Sequence, residues 1–130
     1  MSQSPIAEAY VRSINDHHPA AFRALFADGA VVNDAGREFR GSAAIEAWSD
    51  REIFDAQVTL EVLSSIEQDG ETVVTTKVDG NFDRTGLPDP VVIDHHLTVD
   101  GDKIVALTCR LADNKPRTIP SSASRRRMTA

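Results

Sequence analysis

One late segment, residues 92–99, reads VIDHHLTV and carries three consecutive residues that could do acid–base chemistry. Its β-branched residues are typical of a β-strand, in which successive side chains point to opposite faces. Asp94 and His96 then share a polar face, whereas His95 lies on a mostly apolar one. If the polar face lines a cavity, Asp94 is a carboxyl group placed for proton transfer. If that face is merely solvated, the triplet carries no function.

Length and charge limit the classes of protein that the chain can represent. The 130 residues fit one domain with a hydrophobic core, and 41% hydrophobic residues are typical of a globular protein. The net charge is −6, and the basic residues crowd toward the C-terminus, so the acidic body is unsuited to binding nucleic acid. No apolar run is long enough to span a membrane, and the first residues lack the features of a secretory signal. We therefore expect no membrane partner and a cytoplasmic location.

Helical patterns dominate the first part of the chain. Pro5 and the four-residue spacing of Ile6, Tyr10 and Ile14 predict a helix over residues 5–15. A second short helix is predicted to carry Phe22, Leu25 and Phe26, and a third to begin at a Ser42 cap and to carry Ile45 and Trp48. Between the second and third helices, residues 30–32 are predicted to form a short strand, residues 34–36 a turn and residues 38–40 the returning strand.

Strand patterns take over from residue 57. The runs VTLEVLSSIE, TVVTTKVDGNF, VVIDHHLTV and KIVALTCRL predict four strands of an antiparallel meander. Helices followed by a meander predict an α+β domain over residues 1–112, with helices covering one face of a curved sheet. The loop over residues 82–90 is either a simple connection or a lid over a pocket. Residues 113–130, rich in Pro, Ser and Arg, are predicted to form an extended or disordered basic tail.

Cofactor and metal signals are missing from the sequence. The single Cys109 excludes an intrachain disulfide and a cysteine zinc site of the usual kind, and it is expected to act as a small buried hydrophobe. No nucleotide-binding or zinc-protease motif occurs, so no cofactor is expected. His95 and His96 diverge on a strand and are not expected to share a metal, and His17 and His18 are expected to cap a helix or face solvent.

Three polar residues allow an ordinary and a functional interpretation each. Tyr10 is either a core aromatic with a satisfied hydroxyl or a hydrogen-bond donor in a pocket. Asp34 is either a turn residue before Ala-Gly or a general base at a strand end. Asp94 is either an exposed strand residue or a second group in the same pocket.

The order of elements resembles the nuclear transport factor 2-like superfamily, whose fold is a cone of helices and curved sheet. The segment AYVRSINDHHPAAFRALFADGAVVNDAGREFRGSAAIEAW is similar to the N-terminal half of ketosteroid isomerases, and VVIDHHLTVDGDKIVAL is similar to their late hairpin. The resemblance covers about residues 5–112. It implies that Tyr10, Asp34 and Asp94 are catalytic residues. His95 is expected to lie on the outer sheet face, and the resemblance implies that this face forms a homodimer interface.

The implied reaction is a cofactor-free proton transfer next to a carbonyl of a hydrophobic small molecule. A carboxylate at Asp34 would take the proton, contributing about 10²–10⁴-fold as a general base. Tyr10, and a protonated Asp94, would donate hydrogen bonds to the oxyanion. His96, Trp48, Leu111 and Phe26 are expected to complete the substrate pocket.

Two features depart from the ketosteroid isomerase pattern. His96 stands where an apolar residue is usual, and it could pair with Asp94 or act itself as the donor or acid. Ala35 follows Asp34 where a proline is common. Because the superfamily reuses its pocket, a SnoaL-like polyketide cyclase or dehydratase, or a domain that only binds a small molecule, remains the alternative.

Overall fold

A computed structural model describes residues 5–68, 70–83 and 85–112 of the chain. Its elements are, in order, α1 (Pro5–Asn15), α2 (Pro19–Arg23), β1 (Phe26–Asp34), β2 (Arg37–Arg40), α3 (Ser42–Ser49), a π-helical turn (Asp50–Phe54), β3 (Thr59–Gln68), β4 (Glu71–Asp79), β5 (Val91–Asp100) and β6 (Lys103–Leu111). The predicted first helix and the four-stranded meander are confirmed. The predicted tail, with its arginine run at residues 125–127, lies outside the described residues.

The strands form one six-stranded sheet in the order β2-β1-β6-β5-β4-β3. The meander β3 to β6 is antiparallel throughout, and β1 joins it by pairing parallel to β6. This parallel pair joins the N-terminal strands to the meander through residues that are about 75 positions apart in the chain, since Asp34 lies beside Cys109. The end of β1 therefore lies beside the C-terminal part of β6, where Cys109 pairs with His95 of β5.

The two faces of the sheet differ in what covers them. We call the face that carries Val74, Thr76, His95 and Leu97 the inner face, because all four side chains are buried. The outer face carries the alternate residues, including Thr75, Asp94, His96 and Arg110. Residues directly opposite each other on neighbouring strands share a face, so Thr75, Asp94 and Arg110 form one row.

Helices α1 and α3 pack on the inner face through an aromatic cluster. Phe22 is fully buried, and its ring lies 5.7 Å from the ring of Tyr10, 5.0 Å from that of Phe26 and 6.4 Å from that of Trp48. Large aromatic side chains supply much buried area per residue. The cluster fixes α1 and α3 relative to the sheet, and with them the side chains of Tyr10 and Trp48.

Two predicted element boundaries are wrong. Helix α2 ends at Arg23, and Phe26 begins β1 instead of closing the helix, because the Ile104 N–H of β6 donates to the Leu25 carbonyl at 2.8 Å. The N-cap of α3 is Gly41, at φ of +89°, and no side chain caps it, so Ser42 does not have the predicted capping role. In the ranges that the structure describes, no helix is long and apolar enough to cross a membrane.

Candidate active site

A cavity of about 350 Å³ lies between the inner face, α1 and the segment that follows α3. A cavity of this size is at the lower end of the range for small-molecule sites. Apolar side chains supply most of its wall, among them Ile14, Ile53, Leu60, Val78, Val91 and Leu111. Phe82 and Leu87, which lie between β4 and β5, also line it. Asp83 and Arg110 also line it, and the remaining polar residues fall into two groups.

The first polar group is built around the carboxylate of Asp34, at the end of β1. Oδ2 accepts hydrogen bonds from Trp48 Nε1 at 3.0 Å and from Arg37 Nη2 at 2.8 Å. Among the described residues, no hydrogen bond to Oδ1 is found, so this oxygen can accept a proton. Two donors on one oxygen hold the plane of the carboxylate, because each constrains its direction.

Arg37 links Asp34 to the π-helical turn. Its guanidinium donates to both carboxylate oxygens of Glu52, at 3.2 and 3.3 Å. This hydrogen bond to Glu52 is the main reason that the pKa of Arg37 is raised, and the bond from Arg37 is the main reason that the pKa of Glu52 is lowered. The Arg37 side chain is half exposed, so the pair closes the rim of the cavity and not its interior.

The π-helical turn determines where Glu52 lies. It extends α3 with a wider turn, in which Ile53 is buried and Glu52 and Ile53 both reach the cavity. Turns of this kind are rare and recur at functional sites. The sequence shows no breaking residue here, and the wider turn was not predicted.

The second polar group lies deep in the cavity, where Tyr10 meets His95. The Tyr10 hydroxyl oxygen lies 2.9 Å from His95 Nδ1, and the Thr76 hydroxyl oxygen lies 2.9 Å from His95 Nε2. Cys109 Sγ lies 3.8 Å from the same Nδ1. All four residues are buried, so these polar groups satisfy one another without bulk water.

Burial controls the protonation of this deep group. It lowers the pKa of His95 to about 4, so the imidazole is neutral at neutral pH. Burial also raises the pKa of Tyr10 well above its usual value and raises the pKa of Cys109 to about 12. The group therefore carries no charge at neutral pH, and the nearby Asp34 carboxylate contributes to the rise at both Tyr10 and Cys109.

The structure brings together only some of the residues that the sequence analysis selected. Tyr10, Asp34, Trp48 and Leu111 line the cavity, with Leu111 45% exposed at its edge. Phe26 does not line it, because its side chain packs on Phe22 behind the cavity wall.

The expected faces of β5 are reversed. Asp94 and His96 lie on the outer face, where Asp94 accepts a hydrogen bond from the Thr75 hydroxyl at 2.6 Å and His96 lies 3.4 Å from Glu71. His95, expected to face outward, lines the cavity instead. In a sheet that helices cover on one side only, the mostly apolar face packs against the helices. His95 lies on that face.

His95, Arg37 and Glu52 are site residues that the sequence analysis missed. The signal for His95 was present in the segment VIDHHLTV, because His95 shares its strand face with Leu97, a core residue, and with Ile93, which packs against the core. Arg37 and Glu52 carried no comparable signal, since their pairing depends on the turn after β1 and on the π-helical turn.

Comparison with known families agrees with this architecture. A profile of the SnoaL-like domain family matches residues 7–107. The chain therefore belongs to the SnoaL-like domain family. No curated protein matches the chain at a significant level.

Solved structures show the same fold. A candidate polyketide cyclase of Sinorhizobium meliloti is 27% identical, with a TM-score of 0.74 over 82% of this chain and 94% of that one. A Catenulispora acidiphila protein with a ketosteroid isomerase-like fold, in complex with trimethylamine, is 22% identical with a TM-score of 0.70 over 84% of this chain and 86% of that one. A Mycobacterium tuberculosis protein in complex with estradiol-17β-hemisuccinate is 17% identical with a TM-score of 0.65 over 80% and 88%. The chain has the cone-shaped α+β fold of the nuclear transport factor 2-like superfamily, as predicted.

Proposed function

We propose that this protein catalyses cofactor-free proton transfer at the carbon next to a carbonyl of a hydrophobic small molecule. The observation that carries the proposal is that an oriented carboxylate, Asp34, and a buried hydroxyl, Tyr10, line the same mostly apolar cavity. A base and an oxygen-binding donor are the two groups that such a reaction needs.

The reaction would proceed in two proton transfers. Asp34 Oδ1 takes a proton from the carbon between a carbonyl and a carbon–carbon double bond, and the electron pair shifts onto the carbonyl oxygen. Tyr10 donates a hydrogen bond to that oxygen while it carries the negative charge. The Asp34 carboxyl then returns its proton to the far carbon of the former double bond. The product is the conjugated ketone, with all atoms and electrons conserved.

Asp34 is suited to this step by its hydrogen bonds. Trp48 and Arg37 both bind Oδ2, so the carboxylate keeps one orientation while Oδ1 gains and loses a proton. Arg37 is in turn held by Glu52, which limits the movement of its guanidinium. A carboxylate that shuttles one proton between two carbon atoms must stay in place through both transfers.

The test is an absorbance assay of double-bond conjugation with a β,γ-unsaturated ketosteroid. We expect Asp34→Asn to lower kcat by about 10²–10⁴-fold, since the amide cannot act as the base. Asp94→Asn makes the same chemical change on the outer face, and we expect it to keep the wild-type rate. Equal rates in wild type and Asp34→Asn would remove Asp34 from the mechanism, and a loss in Asp94→Asn would restore the role implied by the sequence resemblance.

A second candidate reaction is an intramolecular cyclisation or dehydration of a polyketide-like substrate. The SnoaL-like profile and the similarity to the candidate cyclase of Sinorhizobium meliloti favour it. Cyclisation by aldol addition also begins with removal of a proton next to a carbonyl, so Asp34 would keep its role. Turnover of a linear poly-β-ketone ester, without turnover of the ketosteroid, would select this candidate. Binding of either compound with no turnover by wild type would identify a binding domain.

We also propose that the protein is a homodimer that pairs through the outer face. Ile66 of β3 is 55% exposed there and lies directly opposite Val73, and Leu63 of the same strand is 52% exposed. Apolar groups on an uncovered sheet face are typical of an interface. Sedimentation of wild type and Ile66→Lys tests this, with a dimer expected for the first and a monomer for the second; a monomeric wild type would contradict it. A cytoplasmic location stays a prediction.

A further inference from the structure

Tyr10 is one end of a buried chain of polar side chains that runs away from the cavity. From the Tyr10 hydroxyl it passes through Nδ1 and Nε2 of His95 to the Thr76 hydroxyl, with both oxygen–nitrogen distances at 2.9 Å. Tyr10 is 1% exposed, His95 5% and Thr76 not at all. The chain crosses from α1 through β5 to β4, so each member is held by a different element.

The direction of the hydrogen bonds along this chain is not fixed by its composition. A neutral imidazole has one N–H donor and one acceptor nitrogen, whereas each hydroxyl can donate or accept. In one arrangement, Tyr10 donates to Nδ1 and Nε2–H donates to Thr76. In the other, Thr76 donates to Nε2 and Nδ1–H donates to the Tyr10 oxygen, which leaves the Tyr10 proton free to point into the cavity.

A ligand oxygen in the cavity distinguishes the two arrangements. A carbonyl can only accept, so it gains a hydrogen bond from Tyr10 only in the second arrangement. In that arrangement the three bonds run in one direction and polarise one another, which strengthens the terminal donor. The neutral state of His95, which its burial favours, is what makes both directions available.

We propose that His95 is the positioning residue of Tyr10: when a carbonyl occupies the cavity, its Nδ1–H donates to the Tyr10 oxygen and turns the Tyr10 proton toward the carbonyl. This proposal rests on the proposed function, in which Tyr10 donates to the substrate oxygen. It assigns to Thr76 the role of fixing the imidazole tautomer from the other side. No covalent step and no charge transfer is involved.

Cys109 is the competing partner at Nδ1. Its sulfur lies 3.8 Å away, farther than the Tyr10 oxygen at 2.9 Å, and burial raises its pKa to about 12. A neutral thiol is a weak donor and a weak acceptor. Tyr10 is therefore the stronger partner of Nδ1 in either arrangement.

Substitutions at residue 95 test the positioning role by kinetics. Asparagine keeps an amide nitrogen near the place of Nδ1, because both are bonded to Cγ, whereas leucine of similar size offers no polar atom. We expect His95→Leu to lower kcat for the ketosteroid by about tenfold with little change in KM, since both hydrogen bonds of the imidazole are lost and one of them is the bond to the Tyr10 oxygen. We expect His95→Asn to recover most of that loss. His17→Asn, at an exposed site, is the matched control. A His95→Leu protein with wild-type kcat overturns the proposal.

The decisive experiment needs neither a variant nor turnover. Nitrogen NMR of wild-type protein with isotopically labelled histidine shows which ring nitrogen carries the proton, and saturating cyclohexenone supplies a carbonyl without a reacting β,γ double bond. We expect His95 to carry its proton on Nδ1 in that sample, with His96 on the outer face unchanged from the ketone-free sample. A proton on Nε2, or on both nitrogens, overturns the proposal. Absence of ketosteroid turnover together with a proton on Nδ1 refutes the proposed reaction but leaves the positioning role standing.

Discussion

The buried imidazole of His95 makes the stability of the fold depend on pH in a defined direction. Its pKa is lowered to about 4 by burial, whereas an unfolded histidine has a pKa of about 6.5. The unfolded chain therefore binds a proton at a pH where the folded chain does not. Stability from this residue is fully present above about pH 6.5 and is lost progressively as the pH falls toward about 4.

The magnitude follows from the displacement of the pKa. Lowering a pKa from 6.5 to about 4 corresponds to about 3 kcal/mol at full titration, and about 2.5 kcal/mol of this is lost between about pH 7 and about pH 4.5. Charged groups near the imidazole also act on the pKa of His95. Asp94 and His96 are its neighbours on β5, of which Asp94 raises the pKa and His96 lowers it, while Tyr10 and Cys109 touch the ring as neutral groups. Burial outweighs these charges.

Urea unfolding of wild type and His95→Asn at about pH 7 and about pH 4.5 measures the effect. Carboxylates titrate in the same range, but they are common to both proteins and cancel in the comparison. We expect wild type to lose about 2.5 kcal/mol more than His95→Asn over this interval.

Equal losses in the two proteins would contradict this account of His95. They would mean that the folded imidazole is protonated as readily as the unfolded one, and that it is not enclosed as the structure shows. The neutral imidazole that the proposed positioning of Tyr10 requires would then have no physical basis.

Three further predictions concern the fold and the orientation of Asp34. Asn15→Ala removes both hydrogen bonds between the Asn15 side-chain amide and the backbone of the edge strand β3. We expect the free energy of unfolding in urea to fall by about 1–3 kcal/mol, and an unchanged midpoint would refute a stabilising role for these two bonds. Trp48→Phe keeps an aromatic ring but removes the Nε1–H that donates to Asp34, so kcat in the conjugation assay should fall about tenfold. A wild-type kcat would contradict the claim that Trp48 orients the Asp34 carboxylate. Ala35 has a φ of +54°, so Ala35→Gly should stabilise the fold by up to about 1 kcal/mol, whereas Ala47→Gly, inside α3, should destabilise it by about 1 kcal/mol; the same sign in both would count against strain at residue 35.

Local patterns predicted the elements that depend on local interactions. The four-residue spacing of Ile6, Tyr10 and Ile14 predicted α1 with its observed bounds, and alternation predicted the four meander strands. Pairing of β1 with β6 had no such signal, because it joins distant segments. Without that pair, the sequence could not show that Asp34 lies beside Cys109.

The site was harder to predict than the fold. Alternation along a strand shows which side chains share a face, but it does not show which face the helices cover. Polarity placed Asp94 and His96 toward a cavity, but helices cover the face of Leu97, and His95 shares that face. The Arg37–Glu52 pair depends on the π-helical turn, whose wider geometry has no residue signature in the segment DREIF.

Hydrogen–deuterium exchange next to a carbonyl tests the central claim most directly, because it requires proton removal but no complete reaction. The measurement uses proton NMR in heavy water. It follows the loss of signal from the hydrogens on the carbons beside the carbonyl of a ketosteroid. We expect wild type to accelerate the exchange above the buffer rate, and Asp34→Asn to be slower than wild type by about 10²–10⁴-fold. Exchange at the buffer rate with wild type, or equal acceleration by both proteins, would contradict proton transfer by Asp34.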